Sequence, residues 1–314
     1  MSNYLNRSPA ETLARQLQKA DVFNDRVQRA ITRHRLPPNR ERRARAITGA
    51  GRVMSDLRLS DVAARKEAAV ILFDVVKAHY GEIECPELRM YHLTFVDDIG
   101  VASDRTPHLK IDALKRKVDK AIRAMGLSGL VFIEVQPLLN YPARGQGRTL
   151  LLHAHALCWG VVSTRAFRKA KKTLNASRSW QCMFGAKPVV SRRLRGGLDD
   201  ALKIAAYVAK LPHDGKYCVP HEGGGFRFKS TLQDYPDRLA LRIAEGLSHL
   251  SIYEAVFAVK QGRMLRLKWK RELAAWHRQR CVTGPKTLRF AIGPFWDRVR
   301  LSGSSYYAAP FTIN

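Results

Sequence analysis

The sequence predicts an α+β fold in which helices flank a central antiparallel sheet, and three observations support that class. Four segments alternate apolar with other residues, as strands do: 90–96, 129–139, 149–160 and 186–194. Other segments repeat apolar residues at helical spacing, above all 61–80 and 112–126. A loop of nine residues separates the second strand from the third, which is short enough for antiparallel pairing.

Residues 1–88 are predicted to form a helical N-terminal region. Asp61 is placed to cap a helix that runs through AARKEAAVILFDVVKAHY, and Gly81 follows this helix at a position that glycine favours. Before the helix lies a basic stretch, RHRLPPNRERRARA, in which the Pro-Pro pair breaks any helix. Its arginines fit either a solvated linker or an arm that contacts nucleic acid.

From Arg89 onward, strands and helices alternate. The strand MYHLTFV is followed by a basic amphipathic helix that Gly126 closes, then by the two pairing strands, the helix STRAFRKAKKTL and a further strand. The region ends with GLDDALKIAAYVAKLP, where Asp199 or Asp200 is placed to cap a helix that Pro212 ends. These elements predict a domain at 89–212 that contains the sheet.

Residues 213–314 are predicted to form a basic, mainly helical C-terminal region, with helices near 235–245 and 252–260. A tract at 260–280 holds eight Lys or Arg residues and one acid, interleaved with two tryptophans. Such a tract fits contacts to a nucleic-acid backbone with stacking on exposed bases. It fits equally a charged amphipathic helix whose tryptophans lie in the core.

The charge balance indicates a polyanion as partner. The 314 residues include 55 Lys or Arg against 27 Asp or Glu, a net charge of +28 with an isoelectric point near 10.4. Nucleic acid is the leading candidate. A membrane partner is not expected, because the longest apolar run, AAVILF, is too short to span a bilayer and no hydrophobic leader is visible.

Composition also bounds the class of protein and its compartment. With 46% hydrophobic residues the chain can build a real core, as one large domain or two ordinary ones. Its five cysteines form no CxxC pair and are odd in number. These features argue against a disulfide framework and predict a cytoplasmic location.

The segment LLLHAHALCWG carries two histidines two residues apart. In a strand this spacing sends His153 and His155 to the same face, where a divalent cation would satisfy both rings. The neighbouring strand carries a carboxylate, Glu134, whose face can lie beside the histidine face. Two alternatives remain open: the histidines form a structural pair in the core, or Glu134 pairs with a lysine.

A tyrosine lies between two lysines on the helix that follows. Lys203, Tyr207 and Lys210 stand at i, i+4 and i+7, so they share one side of that helix. Tyr207 could act as a nucleophile, and the lysines could stabilise its phenolate or hold a phosphate. The alternative is that Lys203, Tyr207 and Lys210 are neighbours on the helix surface with no role in catalysis.

In combination, HAH in a strand and YVAK in a later helix resemble the HUH endonucleases, with their histidine, hydrophobe, histidine motif and downstream YxxK. MYHLTF is similar to the first motif of bacterial plasmid and phage rolling-circle replication initiators, the members that this chain resembles most. The resemblance covers about 89–212 and implies an HUH-type domain there. It also implies Mn²⁺ or Mg²⁺ bound by His153, His155 and a third ligand on the strand before, Glu134 or, as second choice, Gln136 on the same face. The loop before the histidines is longer than is usual in this family.

The resemblance implies a reaction as well. Tyr207 would attack a phosphate in single-stranded or extruded origin DNA, form a 5′-phosphotyrosine and free a 3′-hydroxyl that primes a host polymerase. No GxxxxGK[ST] loop is visible, so unwinding would need a separate host helicase. Relaxases and single-strand transposases share this chemistry. The alternative from another class is a non-catalytic basic DNA-binding protein such as a repressor.

Overall fold

The computed structural model describes residues 7–47, 56–81, 85, 87–105, 109–141, 147–182, 186–208, 210–212, 214–220, 222, 226–230 and 235–283. The helices are α1 (Pro9–Arg33), α2 (Pro38–Ile47), α3 (Val62–Gly81), α4 (Asp112–Ala124), α5 (Thr164–Ala176), α6 (Gly197–Val208), α7 (Asp237–Leu247), α8 (Ile252–Ala255) and α9 (Gly262–Thr283). The strands are β1 (Arg89–Phe95), β2 (Val101–Ser103), β3 (Ser128–Tyr141), β4 (Gly147–Gly160), β5 (Val189–Leu194), β6 (Lys216–Pro220), β7 (Phe226–Ser230) and β8 (Val256–Val259).

The fold is α+β, with these strands in one sheet that helices flank. Its main order is β5-β1-β4-β3-β6-β7, with β2 added beside β4 and β8 beside β3. The predicted antiparallel sheet is correct except at one pair: β3 and β6 run parallel, so the sheet is mixed. The parallel pair arises because β6 enters the sheet after α5, β5 and α6 rather than through a tight hairpin from β3.

The hairpin of β3 and β4 forms the centre of the sheet. Each strand has 14 residues, and their antiparallel register places Glu134 directly opposite His153. The strands run on to Tyr141 and from Gly147, so both extend into the nine-residue segment that the sequence suggested as a loop. Most of the residues that separate Glu134 from His153 along the chain therefore lie in the paired strands.

The N-terminal region is helical, as predicted. The Asp61 carboxylate accepts a hydrogen bond of 3.0 Å from the Ala64 backbone N–H and so caps α3. The Pro-Pro pair separates α1 from α2, because α2 begins at the second proline, Pro38. Arg40 in α2 pairs with Glu245 of α7 at 3.1 Å. Most of the basic stretch is thus a short helix tied to α7 rather than a linker, and its predicted contact with nucleic acid stays a prediction.

The predicted helix at 252–260 is wrong over most of its length. α8 has only four residues, and the next four, VFAV, form β8, which pairs antiparallel with residues 129–132 of β3. β-branched and aromatic residues suit a strand, and the free edge of β3 supplies the partner. Gly262 then begins α9 against this edge, where a Cβ atom would stand 2.1 Å from the Gly129 carbonyl oxygen.

The basic tract at 260–280 forms most of α9. Its first tryptophan, Trp269, is 1% exposed and donates a hydrogen bond of 2.9 Å to the Ala68 carbonyl. Arg280 lies buried against Asp61, 3.2 Å away. The amphipathic helix with Trp269 in the core is therefore confirmed, and this tryptophan is not available to stack on bases. Contacts between the exposed cations of α9 and a nucleic-acid backbone stay a prediction.

One hydrophobic core joins the three regions of the chain. Phe23 of α1, Leu93 of β1, Ile243 of α7 and Leu273 of α9 belong to the same cluster of buried side chains. β6, β7 and β8 also bring the C-terminal region into the sheet. Among the residues described, no helix has the length and apolar character needed to cross a bilayer.

Candidate metal centre

Glu134, His153 and His155 form a compact cluster on the central hairpin. Each offers one ligand atom, and these atoms lie within 4.8 Å of one another. The Nε2 atoms of the two histidines are 3.0 Å apart. The Oε2 atom of Glu134 lies 3.6 Å from His153 Nε2 and 3.7 Å from His155 Nε2. The structure therefore brings together the three residues that the sequence predicted as metal ligands.

Strand alternation and register account for this meeting. His153 and His155 are two residues apart on β4, and the register sets Glu134 opposite His153, so the three side chains share one sheet face. All three are buried, with exposed fractions of 4% for Glu134, 9% for His153 and 6% for His155. The polar groups accordingly need partners within the fold.

Two residues of β1, His92 and Thr94, complete the polar surroundings of His155. His92 Nε2 lies 3.0 Å and Thr94 Oγ1 lies 3.2 Å from His155 Nδ1. The sequence analysis missed this contact, although MYHLTF carries its signal. His92 and Thr94 alternate on one strand face, which the register places beside the histidine face of β4.

The hydrogen bonds constrain which ring nitrogen carries a proton. A bond between two Nε2 atoms requires one of them to hold a hydrogen, whereas cation binding requires both to present a lone pair. His153 can then keep its proton on Nδ1, 3.4 Å from the Leu151 carbonyl. His155 can place its own on Nδ1, facing His92 and Thr94. These groups are arranged to accept the proton that cation binding moves.

Burial keeps the histidines neutral at physiological pH. Burial, with repulsion from Lys216 and Lys210, lowers the pKa of His153 from 6.5 to about 3. The pKa of His155 also lies well below 6.5, through burial and its neighbouring imidazoles. Burial and then Arg192 lower the pKa of His92 to about 4. A metal ion would therefore not compete with protons for these rings at neutral pH.

Glu134 suits a cation for a different reason. Burial raises the pKa of its carboxyl from 4.5 to about 7, although Lys210, Arg65 and Lys216 oppose that rise. Its Oε1 atom is buried with no hydrogen-bond partner among the described residues. A bound cation would supply the missing partner and neutralise the carboxylate. Two imidazoles and one carboxylate thus fit a divalent metal ion.

Gln136, the second choice as ligand, has another role. Its side-chain amide donates a hydrogen bond of 2.9 Å to the Asp214 carbonyl and so fixes the segment that precedes β6. The same segment places Asp214 3.8 Å from Lys210.

The predicted nucleophile and its lysines lie on or beside α6, which packs against β1, β4 and β5. Tyr207 is in the last turn of α6, and its side chain lies outside the described residues. Lys203 is buried and 3.7 Å from Asp200. The sequence suggested that Lys210, at i+7 from Lys203, shares a face of α6 with Tyr207. α6 ends at Val208, so Lys210 follows the helix and that prediction is wrong.

Two further cations near the cluster were missed by the sequence analysis. Arg65 of α3 is buried and donates a hydrogen bond of 3.0 Å to the Lys210 carbonyl. Lys216 begins β6, and burial lowers the pKa of its ammonium, with repulsion from Lys210 second. No local motif marks either residue, because each acts on Glu134 only once α3 and β6 are packed around the sheet.

Replacing Glu134 with Gln is expected to stabilise the metal-free protein at pH 8. The raised pKa means that the folded state binds more protons than the unfolded state between pH 4.5 and about 7, so the free energy of unfolding falls as pH rises through that window. A neutral side chain avoids this cost, which amounts to at most about 3 kcal/mol. Urea unfolding with a chelator present measures it.

The pH dependence supplies the control for this variant. At pH 5 the advantage of Glu134→Gln should shrink to under about 1 kcal/mol, because the folded wild type then carries a protonated carboxyl. The buried histidines act alike in both proteins and so cancel in the comparison. A variant less stable than wild type at pH 8 would mean that neighbouring cations hold the Glu134 carboxylate charged.

The contact between His92 and His155 gives a second prediction. His92→Phe should weaken Mn²⁺ binding by about 10- to 100-fold, because His155 loses an acceptor for its Nδ1 proton. His92→Gln, which keeps an acceptor, should lose much less. Isothermal titration calorimetry measures both variants. Equal losses would mean that His92 acts by packing alone.

Comparison with known proteins adds no assignment: no protein-family model, curated protein or solved structure matches this chain.

Proposed function

We propose that this protein is a metal-dependent, tyrosine-dependent endonuclease and strand transferase of single-stranded DNA that starts rolling-circle replication. The observation that carries the proposal is the buried cluster of Glu134, His153 and His155 on adjacent strands. Its histidines lie in the HAH motif, and its carboxylate comes from the strand before. This is the arrangement that the resemblance to HUH-type endonucleases leads one to expect. The net charge of +28 supports a polyanionic substrate.

A divalent cation bound by this cluster supplies Lewis-acid polarisation of a non-bridging phosphate oxygen. The phenol oxygen of Tyr207 attacks phosphorus, and the bond from phosphorus to the 3′ oxygen breaks. The phosphate stays on Tyr207 and on the 5′ end of the DNA. The leaving oxygen takes up one proton to become a 3′-hydroxyl, which balances the proton that the phenol loses.

The lysines near the cluster support a phosphate as the substrate group. Lys210 and Lys216 both act electrostatically on Glu134 and on the two histidines. Cations so close repel a metal ion, yet they attract a phosphodiester. In a site that holds a metal ion beside a phosphate, the Glu134 carboxylate attracts the metal ion and the lysines attract the phosphate. Lys216 therefore joins Lys210 as a proposed phosphate-binding residue.

The experiment that tests the proposal looks for the covalent intermediate. The full chain is incubated with Mn²⁺ and single-stranded DNA, and tryptic peptides are searched by mass spectrometry for a nucleotide adduct on Tyr207. An adduct on this residue supports the proposal. Absence of the adduct across origin-bearing, transfer-origin and transposon-end strands contradicts it. Which of these strands is cut separates a replication initiator from a relaxase or a transposase.

The burial of the cluster favours a second candidate, a non-catalytic DNA-binding protein with a structural cation. Less than a tenth of each ligand residue is exposed, as is usual for a closed structural metal site. In that case a chelator would lower the melting temperature while DNA binding persists and no strand is cut. The catalytic proposal expects cleavage to stop at chelator concentrations that leave the fold intact.

A further inference from the structure

Helix α5 carries a stripe of four cations on its exposed side. Successive residues of an α-helix turn by about 100°, so positions i, i+3, i+4 and i+7 fall within one face. The exposed residues at these positions form the α5 stripe: Arg165, Arg168, Lys169 and Lys172. Phe167 lies on the opposite side, 5% exposed, and stacks on Tyr91 of β1 with ring centroids 4.3 Å apart.

The stripe lies in a part of the chain that has no acidic residue. Between Glu134 and Asp199 the sequence contains no Asp or Glu at all, although it contains many Lys and Arg residues. None of the four stripe cations takes part in an ion pair between described residues. Like charges four residues apart destabilise a helix, so this arrangement costs folding energy.

Some cations on other helices of the same protein are paired with nearby acids. Arg45 in α2 pairs with Glu41, four residues away. In α4, Lys115 pairs with Asp112 and Arg123 with Asp119. Exposed cations without an ion pair between described residues also occur on α9, at Arg263, Lys268 and Arg271, so α5 is distinguished by having no acid within its sequence.

Strand β5 extends the charge from α5 to the metal centre. Lys171 of α5 bonds to Ser191 of β5 at 2.9 Å, which fixes the helix beside this edge strand. Arg193 is paired with Tyr91 and so points to the side of α5, whereas Arg192 is paired with His92 and points to the side of the histidines. Arg192 and Arg193 on the edge strand β5 could serve only to prevent pairing with the sheet of another molecule. That explanation cannot account for the cations of the α5 stripe, because they lie on a helix.

We propose that the α5 stripe together with Arg192 and Arg193 forms a surface that binds the phosphate backbone of the DNA flanking the strand in the metal centre. The inference rests on the proposed function, which supplies both DNA as the partner and the metal centre as the place where the strand is held. Arg165 and Lys172 are seven helical rises apart, about 10 Å along the axis, a length that faces about three phosphates of one strand. The backbone then passes over the edge of the sheet toward His155.

The test compares two matched double variants. Arg168→Gln with Lys172→Gln removes two exposed cations four residues apart on α5, and Arg116→Gln with Lys120→Gln removes the same pair of residue types at the same spacing on α4. Binding of fluorescent duplex and single-stranded DNA is measured by anisotropy between 50 and 200 mM salt without added metal. The α5 variant should lower the duplex salt slope by about 1.8, which makes its affinity loss over that range about tenfold smaller than that of wild type. The α4 variant should change it by less than half as much.

The following binding results overturn the inference. Equal salt slopes for the α5 and α4 variants would mean that DNA affinity depends on the net charge of the protein and not on the position of the cations. An effect confined to binding of phosphatidylserine vesicles would assign the surface to membranes. Cleavage is assayed separately in the wild-type protein. Absence of the Tyr207 adduct, while DNA binding still depends on α5, would contradict the nuclease proposal alone. An adduct on Tyr207, with DNA binding that does not depend on α5, would contradict the proposed α5 surface alone. A single-strand effect larger than the duplex effect would place the surface on the cut strand rather than on its flank and so also contradict the assignment.

Discussion

Replacing Tyr207 with Phe is expected to reduce DNA cleavage to background while changing DNA affinity by less than about twofold. The phenol oxygen is the atom that bonds to phosphorus in the proposed reaction, and phenylalanine removes that oxygen and little else. Tyr207 is the sole tyrosine in the sequence of α6, so no neighbour on the helix can substitute for it. Gel assays of cleavage and anisotropy with the same oligonucleotide measure the two effects.

A matched tyrosine serves as the control for this variant. Tyr253 lies in α8, where its ring packs edge-to-face on Trp269 with centroids 5.9 Å apart. Tyr253→Phe makes the same chemical change away from the proposed site and should leave cleavage at the wild-type level. Cleavage that persists in Tyr207→Phe, with an unchanged circular dichroism spectrum, would show that another group breaks the strand.

Replacing His153 and His155 together with Ala should abolish both Mn²⁺ binding and cleavage. The change removes two of the three ligand atoms that lie within 4.8 Å of one another. One buried carboxylate cannot hold the ion alone, so added metal should not restore activity. Titration calorimetry should find an affinity at least about 100-fold lower. DNA binding in the absence of metal should remain, because the exposed cations are untouched.

An exposed histidine provides the comparison for the double variant. His249 follows α7 on the surface, and His249→Ala should leave both metal binding and cleavage unchanged. Thermal melting of each variant with a chelator present separates loss of a ligand from loss of the fold. Cleavage by a folded double variant at the wild-type rate would remove the metal centre from the reaction.

The sequence predicts well that Glu134, His153 and His155 meet, because one strong rule decides which side chains share a face; their role as metal ligands stays a prediction. Side chains alternate along a strand with a period of two, so the spacing of His153 and His155 fixes their common face. A short connection predicts the antiparallel pairing that brings Glu134 beside them. Helix α3 is equally predictable, since its cap at Asp61 and its apolar spacing agree.

Other features depend on the assembled fold and were therefore missed. VFAV in β8 has an apolar pattern too short to distinguish a strand from a helix, and only the free edge of β3 decides it. His92 and Lys216 gain their meaning from contacts across strands far apart in sequence. Lys210 was placed on a helix face because its spacing fits, but α6 ends before it is reached.

The length of the β3–β4 hairpin has a consequence for how the protein tolerates insertions. Glu134 lies seven residues before Tyr141, where β3 ends, so extra residues at the tip would leave the three ligands in place. Deleting one residue between the tip and His153 would instead reverse which side of the ribbon every following side chain occupies. Insertions at the tip should therefore be tolerated, whereas a one-residue change in the paired stretch needs a compensating register shift, such as the one between Leu138 and Tyr141, to keep the shared face.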